Sequence, residues 1–477
     1  MHLSCSNRER DVGMRLRKDV LELTAPIMME QTFIMLMGVI NAIMAGRIGK
    51  ETVSAIGIVD SINNIFIAFF SALAVGGTVI VAYYAGRGNT HDANEAAKQA
   101  IYSSLALSLA ITVLIWLFRR PLLLLLFGTA EKSVFENAII YLNITLLTYP
   151  LIALTSIACG VIRGAGDTKT PMKVTIFMNF VNVLLSYLLI YGLDLGSGGF
   201  VMHIPALKIR GAAYGIAAAR TIGAAAIIFV LVRGTKTLKL DNLKKFRINM
   251  DMQRSIFGIG IPASVESLLF NGGKLITQTF IVSMGTAVIA ANYVASSVVG
   301  LINIPGNALS IAATTLVGQA MGRQESEEAG RLMTYLTKLT SFCLLIPCVL
   351  LFPFAGSLSS LYTQSSDVIP IAVQLIRLSA ITTPIFWSLS FLLPAGLKAA
   401  GDAKYTMVTS IIGMWVFRIT LGYILGIPLK MGVTGIWCGM YVDWVVRGIL
   451  YYIRLKKGKW KNNTVVGRAG TTLERGA

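Results

Sequence analysis

Four carboxylates lie inside runs of apolar residues: Glu30, Asp60, Glu266 and Asp443. An ionised group at the centre of a membrane helix costs about 2.5 to 3.5 kcal/mol on insertion scales, so each needs a partner or a task. Glu30 follows Pro26 by one helical turn, and Glu266 follows Pro262 in the same way. A proline within a helix removes an amide donor and frees the carbonyl one turn back. An acid beside it, partly withdrawn from water, can take up a proton or release it for a cation. Asp60, followed by Asn63 and Asn64, is a third group of this kind. Glu30, Glu266 and Asp60 are therefore the candidate ion-coupling acids. Asp443 reads differently: Arg447 stands four residues on, the spacing of an intrahelical ion pair.

A second set is polar without being acidic. Gln31, Asn41, Asn64, Asn179, Asn182, Ser186, Asn271 and Gln278 interrupt otherwise apolar segments and are candidates to line a cavity. Lys274, two turns beyond Glu266, either neutralises that acid or attracts an anionic substrate, and the residues alone leave both open. Arg220, Lys338, Arg377 and Arg418 are expected to snorkel or to cap polar networks. Met28, Met29, Met35, Met37 and Met44 offer an adaptable wall for apolar ligands. Enzyme chemistry is not indicated: there is no phosphate-binding Gly-x-x-x-x-Gly-Lys loop and no Ser/His/Asp set. His2, His91 and His203 are scattered, and the five cysteines lack metal-ligand spacing, so neither a metal nor an organic cofactor is expected.

The elements that must hold these residues follow from composition. With 55% hydrophobic and 14% charged residues over 477 positions, and a mean hydropathy of +0.69, the chain cannot cover a water-soluble globule, and lipid must be its solvent. Its apolar runs have helix rather than strand length. Hydropathy predicts spans near 19–45, 55–85, 98–118, 133–160, 171–193, 210–232, 255–283, 286–318, 330–353, 368–395, 405–427 and 433–453. Residues 1–18 are polar and basic without an apolar core, so the first span serves as its own insertion signal. They form a cytoplasmic N-terminal segment in which Met14 is an alternative start, because everything upstream of it reads as an unstructured extension. Twelve spans return both ends to one side, and basic residues such as Arg15, Arg17, Lys18, Lys239, Lys245, Arg454 and Lys457 place that side in the cytoplasm of the plasma membrane. The charge of +19 thus follows the membrane and its anionic lipid, not a nucleic acid.

The basic stretch 233–254 divides the spans six and six, giving an N-lobe at 19–232, a C-lobe at 255–453 and a basic cytoplasmic tail at 454–477. The halves repeat. Pro26 and Glu30 match Pro262 and Glu266, Gly86-Arg87 matches Gly322-Arg323, and Gly166-Asp167 with Lys169 matches Gly401-Asp402 with Lys404. Six spans per repeat give both halves the same orientation. The expected fold is an all-α integral membrane protein of twelve transmembrane helices, in two six-helix lobes related by a pseudo-two-fold axis along the membrane normal. Within the repeated loops, Gly164 and Gly166 suit a tight turn, and Asp167 and Asp402 are placed to cap the helices that follow.

The loop Cys159-Gly160-Val161-Ile162-Arg163-Gly164-Ala165-Gly166-Asp167 and its partner Gly396-Leu397-Lys398-Ala399-Ala400-Gly401-Asp402 resemble the signature of the multidrug and toxic compound extrusion (MATE) family. Met44-Ala45-Gly46-Arg47-Ile48-Gly49 is similar to that family's first-loop motif. Ala312-Ala313-Thr314-Thr315-Leu316-Val317-Gly318-Gln319 is similar to its eighth-span ending, and Met414-Trp415-Val416-Phe417-Arg418 to its bacterial eleventh-span motif. The resemblance implies a V-shaped antiporter that expels small amphipathic, often cationic, organic compounds in exchange for H⁺ or Na⁺ by alternating access. Two departures stand out. Many members carry an aspartate where this chain has Asn41 and another where it has Ser186, and neither of these residues titrates near neutral pH. The family's usual N-lobe proton site is therefore missing, and the coupling falls to other acids. A flippase for lipid-linked precursors is the alternative, disfavoured by the twelve spans and the few intramembrane cations.

Overall fold

The computed structural model describes residues 2–46, 50–127, 132–197, 200–235, 237–240, 248–463 and 465. The N-terminal half comprises α1 (His2–Gly46), α2 (Lys50–Gly86), α3 (Thr90–Phe127), α4 (Lys132–Leu146), α5 (Tyr149–Gly164), α6 (Lys169–Tyr191) and α7 (Lys208–Arg233). The C-terminal half comprises α8 (Met250–Val282), α9 (Thr286–Ile302), α10 (Ile304–Gly322), α11 (Ser326–Tyr362), α12 (Val368–Thr382), α13 (Leu393–Ala399), α14 (Ala403–Ile412), α15 (Thr420–Gly426) and α16 (Gly432–Lys456). Thr383–Leu392 and Gly413–Ile419 are π-helical and join α12 to α13 and α14 to α15.

Each expected span coincides with one helix or one interrupted helix. Eight are long and apolar enough to cross a membrane as they stand, and ten if each of two bent pairs, α4 with α5 and α9 with α10, is one span. The remaining two, α8 and α16, carry Glu266 and Lys274, and Asp443 and Arg447, which lower their hydropathy. Exposed Val113, Leu117 and Phe118 on α3, and Val349 and Leu350 on α11, form apolar outer faces of the kind that contact lipid.

Proline explains the interruptions. It cannot donate to the helix and crowds the carbonyl four residues earlier. Span four breaks just before Pro150 and bends by 47°, and span eight breaks just before Pro305 and bends by 49°. Span ten stays continuous by widening into the π-helical turn that begins at Thr383-Pro384.

Two expectations are corrected, the unstructured N-terminal extension and the start of α8. Residues 2–13 are not an unstructured extension, because α1 runs unbroken from His2 through a stretch with no proline and many good helix formers. The tail beyond 454 is folded as far as Asn463: Arg454 pairs with Asp402, and Trp460 is fully buried with its indole N–H donating to the Leu455 carbonyl at 3.1 Å. Helix α8 begins inside the expected linker, capped by the Asn249 side chain, which accepts from the amides of Asp251 and Met252. Linker positions Lys236, Lys244, Lys245 and Arg247 and the tail beyond 465 lie outside the described residues. A short antiparallel hairpin, Leu193–Ser197 with Phe200–Ile204, is added to the all-α fold between α6 and α7.

The lobes touch about a two-fold axis. A Cβ built on Gly86 would meet the Gln319 backbone, and one built on Gly322 would meet the Tyr83 backbone. Each glycine is the repeat partner of the other, and so are Tyr83 and Gln319. Such reciprocity is the mark of a two-fold contact. Gly318 packs on its own repeat partner, Ala82, so the axis passes between them. Around this end one hydrophobic core draws on both halves, including Val79, Ile80 and Tyr84 of α2, Ile256 and Ile259 of α8, and Val317 and Ala320 of α10. Toward the other end the cores separate. Val59, Leu142 and Ala213 belong to an N-lobe cluster, and Val298, Leu344 and Trp437 to a C-lobe cluster. The molecule is a V joined at the end that holds Gly86 and Gly322.

Candidate functional site

The two repeat-matched acids sit in matching triads. Glu30 of α1 is buried, and its Oε1 accepts from the Arg163 guanidinium of α5 at 2.6 Å and from the Thr175 hydroxyl of α6 at 2.9 Å. Glu266 of α8 accepts from the Ser410 hydroxyl of α14 at 2.8 Å, and its second oxygen lies 2.8 Å from Lys398 Nζ of α13. Arg163 and Lys398, and Thr175 and Ser410, are themselves repeat partners, so acid, cation and hydroxyl were all duplicated together. The sequence reading found the acids and missed the partners. A signal was present: each cation stands four residues before a repeat-matched aspartate, Asp167 or Asp402.

Those aspartates divide their roles. Asp167 caps α6 as expected, accepting from the Lys169 and Thr170 amides at 3.1 and 3.0 Å and from the Thr170 hydroxyl at 2.6 Å. Asp402 does not cap. It holds Arg454 through two hydrogen bonds of 2.7 and 3.1 Å, and so fastens the end of α16 to the signature loop. Asp443 and Arg447 form the expected pair, fully buried, at 2.7 and 3.1 Å.

Asp60 accepts from the Asn63 amide at 3.2 Å, and the Asn63 carbonyl oxygen accepts from the Tyr149 hydroxyl at 2.7 Å. Arg220 donates to the Thr148 hydroxyl at 2.8 Å in the same neighbourhood. This network crosses the break between α4 and α5.

Each lobe has a half-open cavity, and that of the N-lobe is also lined by Ile311 and Thr314 of α10. The N-lobe cavity, about 530 Å³, has Glu30 and Arg163 in its wall, with Gln31, Asn179, Asn182 and Arg220 as further polar groups. Its apolar wall includes Ile34, Ile67 and Met178. The C-lobe cavity, about 430 Å³, has Lys274, Gln278 and Arg418 in its wall together with Trp387, Phe391, Trp437 and Trp444. Of the expected polar lining, Gln31, Asn179, Asn182, Lys274 and Gln278 are thus in cavity walls. Asn41, Asn64, Ser186 and Asn271 are not: Ser186 is buried and donates to Asn182 at 3.1 Å, Asn271 bonds back to the Ser267 carbonyl, and Asn64 is exposed. The methionines of α1 do not wall either cavity, whereas Met178 and Met440 do.

Two readings of cations change. Lys274 does not neutralise Glu266, whose partner is Lys398; it lies over the Phe270 ring at 5.0 Å. Arg418 neither snorkels nor caps but turns into the C-lobe cavity, because the π-helical turn at Gly413–Ile419 carries it there.

Comparison with known proteins adds the following. The MatE family model matches the chain twice, over residues 26–188 and 262–424, two segments displaced by 236 residues, the offset that separates Glu30 from Glu266 and Gly86 from Gly322. The "Uncharacterized transporter YisQ" of Bacillus subtilis (strain 168) is 31% identical over 442 residues, covering 92% of this chain and 94% of its own. A "Probable multidrug resistance protein NorM" of Thermotoga maritima is 24% identical over 461 residues, covering 95% of each chain. Among solved structures, one described as the outward-facing conformation of a multidrug resistance MATE family transporter of the MOP superfamily superimposes with a TM-score of 0.84 at 20% identity, covering 93% of this chain and 97% of that one.

Proposed function

The chain belongs to the MatE family of multidrug efflux transporters, and from that premise we propose that it is an antiporter that exports small amphipathic organic compounds across the plasma membrane by alternating access, driven by H⁺ or Na⁺. One observation carries this reading: an acid paired with a cation forms part of a cavity wall, in a molecule whose lobes join at one end.

The substrate's apolar body lies against Ile34, Ile67 and Met178, and its polar group approaches Glu30. A proton or Na⁺ arriving at Glu30 competes with Arg163 for the same oxygen. Releasing the guanidinium into the cavity alters the charge that the substrate meets, and that change is the exchange of ion for substrate. Alternating access then requires the joined end to open while the other closes. With both chain ends in the cytoplasm, as the basic residues of the loops favour, the joined end faces inward and this conformation opens outward. Boundaries near 232 and 255 separate the moving lobes. Glu266 with Lys398 is the C-lobe counterpart, and Asp60 is a supporting group on the N-lobe side.

The test is uptake of a fluorescent cationic dye into proteoliposomes, with pH and Na⁺ gradients imposed separately. Gradient-driven transport is expected in the wild type under one of the two gradients. E30Q and E266Q are expected to abolish it while still inserting normally. Full transport by the double variant E30Q/E266Q would sink the coupling assignment.

A further inference from the structure

The C-lobe cavity is built from donors. Lys274 and Arg418 are the ionisable groups of its wall, no carboxylate forms part of that wall, and among the described residues neither cation has an acid within ion-pair distance. Asp443, the acid that might serve them, is already held by Arg447 through both of its oxygens. Arg418 Nε and Trp444 Nε1 are buried with no acceptor. The three cations of this region, Lys274, Arg418 and Arg447, crowd around the Phe270 ring at 5.0, 5.7 and 5.3 Å. A ring offsets about 0.5 to 2 kcal/mol per cation, against several kcal/mol for withdrawing each charge from water. With Asp443 the carboxylate that answers Arg447, the region has one acid against three cations and is short of negative charge.

Two further features say what should supply it. Trp387 and Phe391 stack with centroids 5.0 Å apart and planes at 28°, giving the cavity a flat aromatic wall beside its cations. Those rings lie on the π-helical turn at Thr383–Leu392, and Arg418 lies on the other, so both irregular turns of the C-lobe deliver side chains to this one cavity. π-helical turns are often found at functional sites. The N-lobe cavity differs: a carboxylate, Glu30, forms part of its wall and pairs with Arg163, and its second cation, Arg220, donates to the Thr148 hydroxyl.

We infer that the C-lobe cavity is a binding site for an organic anion, a carboxylate, sulfonate or phosphate group carried on a flat apolar body. The anionic group bridges the Lys274 ammonium and the Arg418 guanidinium, and the apolar body lies on the Trp387 and Phe391 faces. This site is separate from the N-lobe cavity proposed for the exported compound, and it stands whether or not Glu30 couples an ion.

The experiment uses the full chain in phosphatidylcholine nanodiscs and follows binding by calorimetry and by quenching of tryptophan fluorescence. The probes are naphthalene-2-sulfonate, its neutral sulfonamide, and a naphthylmethyl trimethylammonium cation. Wild type is expected to bind the sulfonate at least tenfold more tightly than either other probe. K274Q and R418Q should each weaken the sulfonate tenfold or more without changing the sulfonamide, and K274R should retain binding. Equal affinity for all three probes overturns the assignment without recourse to any variant, and so does undiminished sulfonate binding by a folded K274Q. Repeating the titration with phosphatidylglycerol in the discs separates two sources of the same chemistry. Competition identifies a lipid phosphate as the occupant, and its absence a free organic anion; both outcomes uphold the site.

Discussion

At the scale of single residues, the pairing of each buried charge decides what it can do. Asp443 and Arg447 are almost wholly buried and satisfy each other, and no third group competes for the carboxylate at hydrogen-bond distance among the described residues. Their work is structural. Removing one partner strands the other, which for a buried pair costs about 3 to 5 kcal/mol, whereas replacing both with well-packed apolar residues is often near neutral. D443N should therefore lower unfolding stability in detergent by about that much, and D443L/R447M should recover most of the loss. A D443N protein as stable as wild type would show that the pair is dispensable. The acids themselves were legible in the sequence because a charge within an apolar run stands out. Their partners were not: Arg163 is 133 residues from Glu30, and it sits beside a loop where cations are ordinary, so only the fold brings it to the carboxylate.

At the scale of elements, close approach of helices depends on glycine at a few positions. A Cβ on Gly76 would come within 2.3 Å of the Ile256 carbonyl oxygen, one on Gly86 within 2.1 Å of the Gln319 carbonyl oxygen, and one on Gly322 within 2.0 Å of the Tyr83 carbonyl oxygen. These are backbone atoms that cannot rotate aside, and they all lie between lobes. Valine at Gly86 or Gly322 should then disfavour the joined end without touching the interior of either lobe. The measurement is labelling of a cysteine placed in the contact, which should be faster in G86V and G322V than in the parent; unchanged labelling would mean that the lobes accommodate the methyl groups while joined. The helices carrying these contacts could be read from hydropathy, and the pairing of Gly86 with Gly322 from the repeat. What could not be read is how each proline is accommodated. A bend before Pro150 and a π-helical turn at Pro384 use similar residues, and the choice is set by packing against neighbouring helices. Lys274 and Gln278 of the C-lobe cavity could be read from the sequence, but Arg418 and Trp387 could not, because π-helical turns direct them there against α-helical periodicity.

At the scale of the whole molecule, duplication makes the joined end a two-fold contact, and a two-fold contact can be tested with a single bond. Ala82 and Gly318 face each other across the axis, and a Cβ on Gly318 would lie 2.9 Å from that of Ala82. A disulfide holds its Cβ atoms about 3.5 to 4.5 Å apart, so A82C/G318C should close under mild oxidation after the helices separate slightly, in a background from which Cys5, Cys159, Cys343, Cys348 and Cys438 have been removed. If transport requires the V to reverse, Ala82 and Gly318 must part in every cycle. Oxidation should therefore stop dye transport and reduction should restore it, with the reduced protein as active as its cysteine-free parent. The same bond should leave binding of naphthalene-2-sulfonate intact, since the C-lobe cavity lies wholly within one lobe. Undiminished flux through the cross-linked protein would instead place the moving parts inside the lobes, and the straps formed by Glu30 with Arg163 and Glu266 with Lys398, each joining helices of a single lobe, would become the elements to follow.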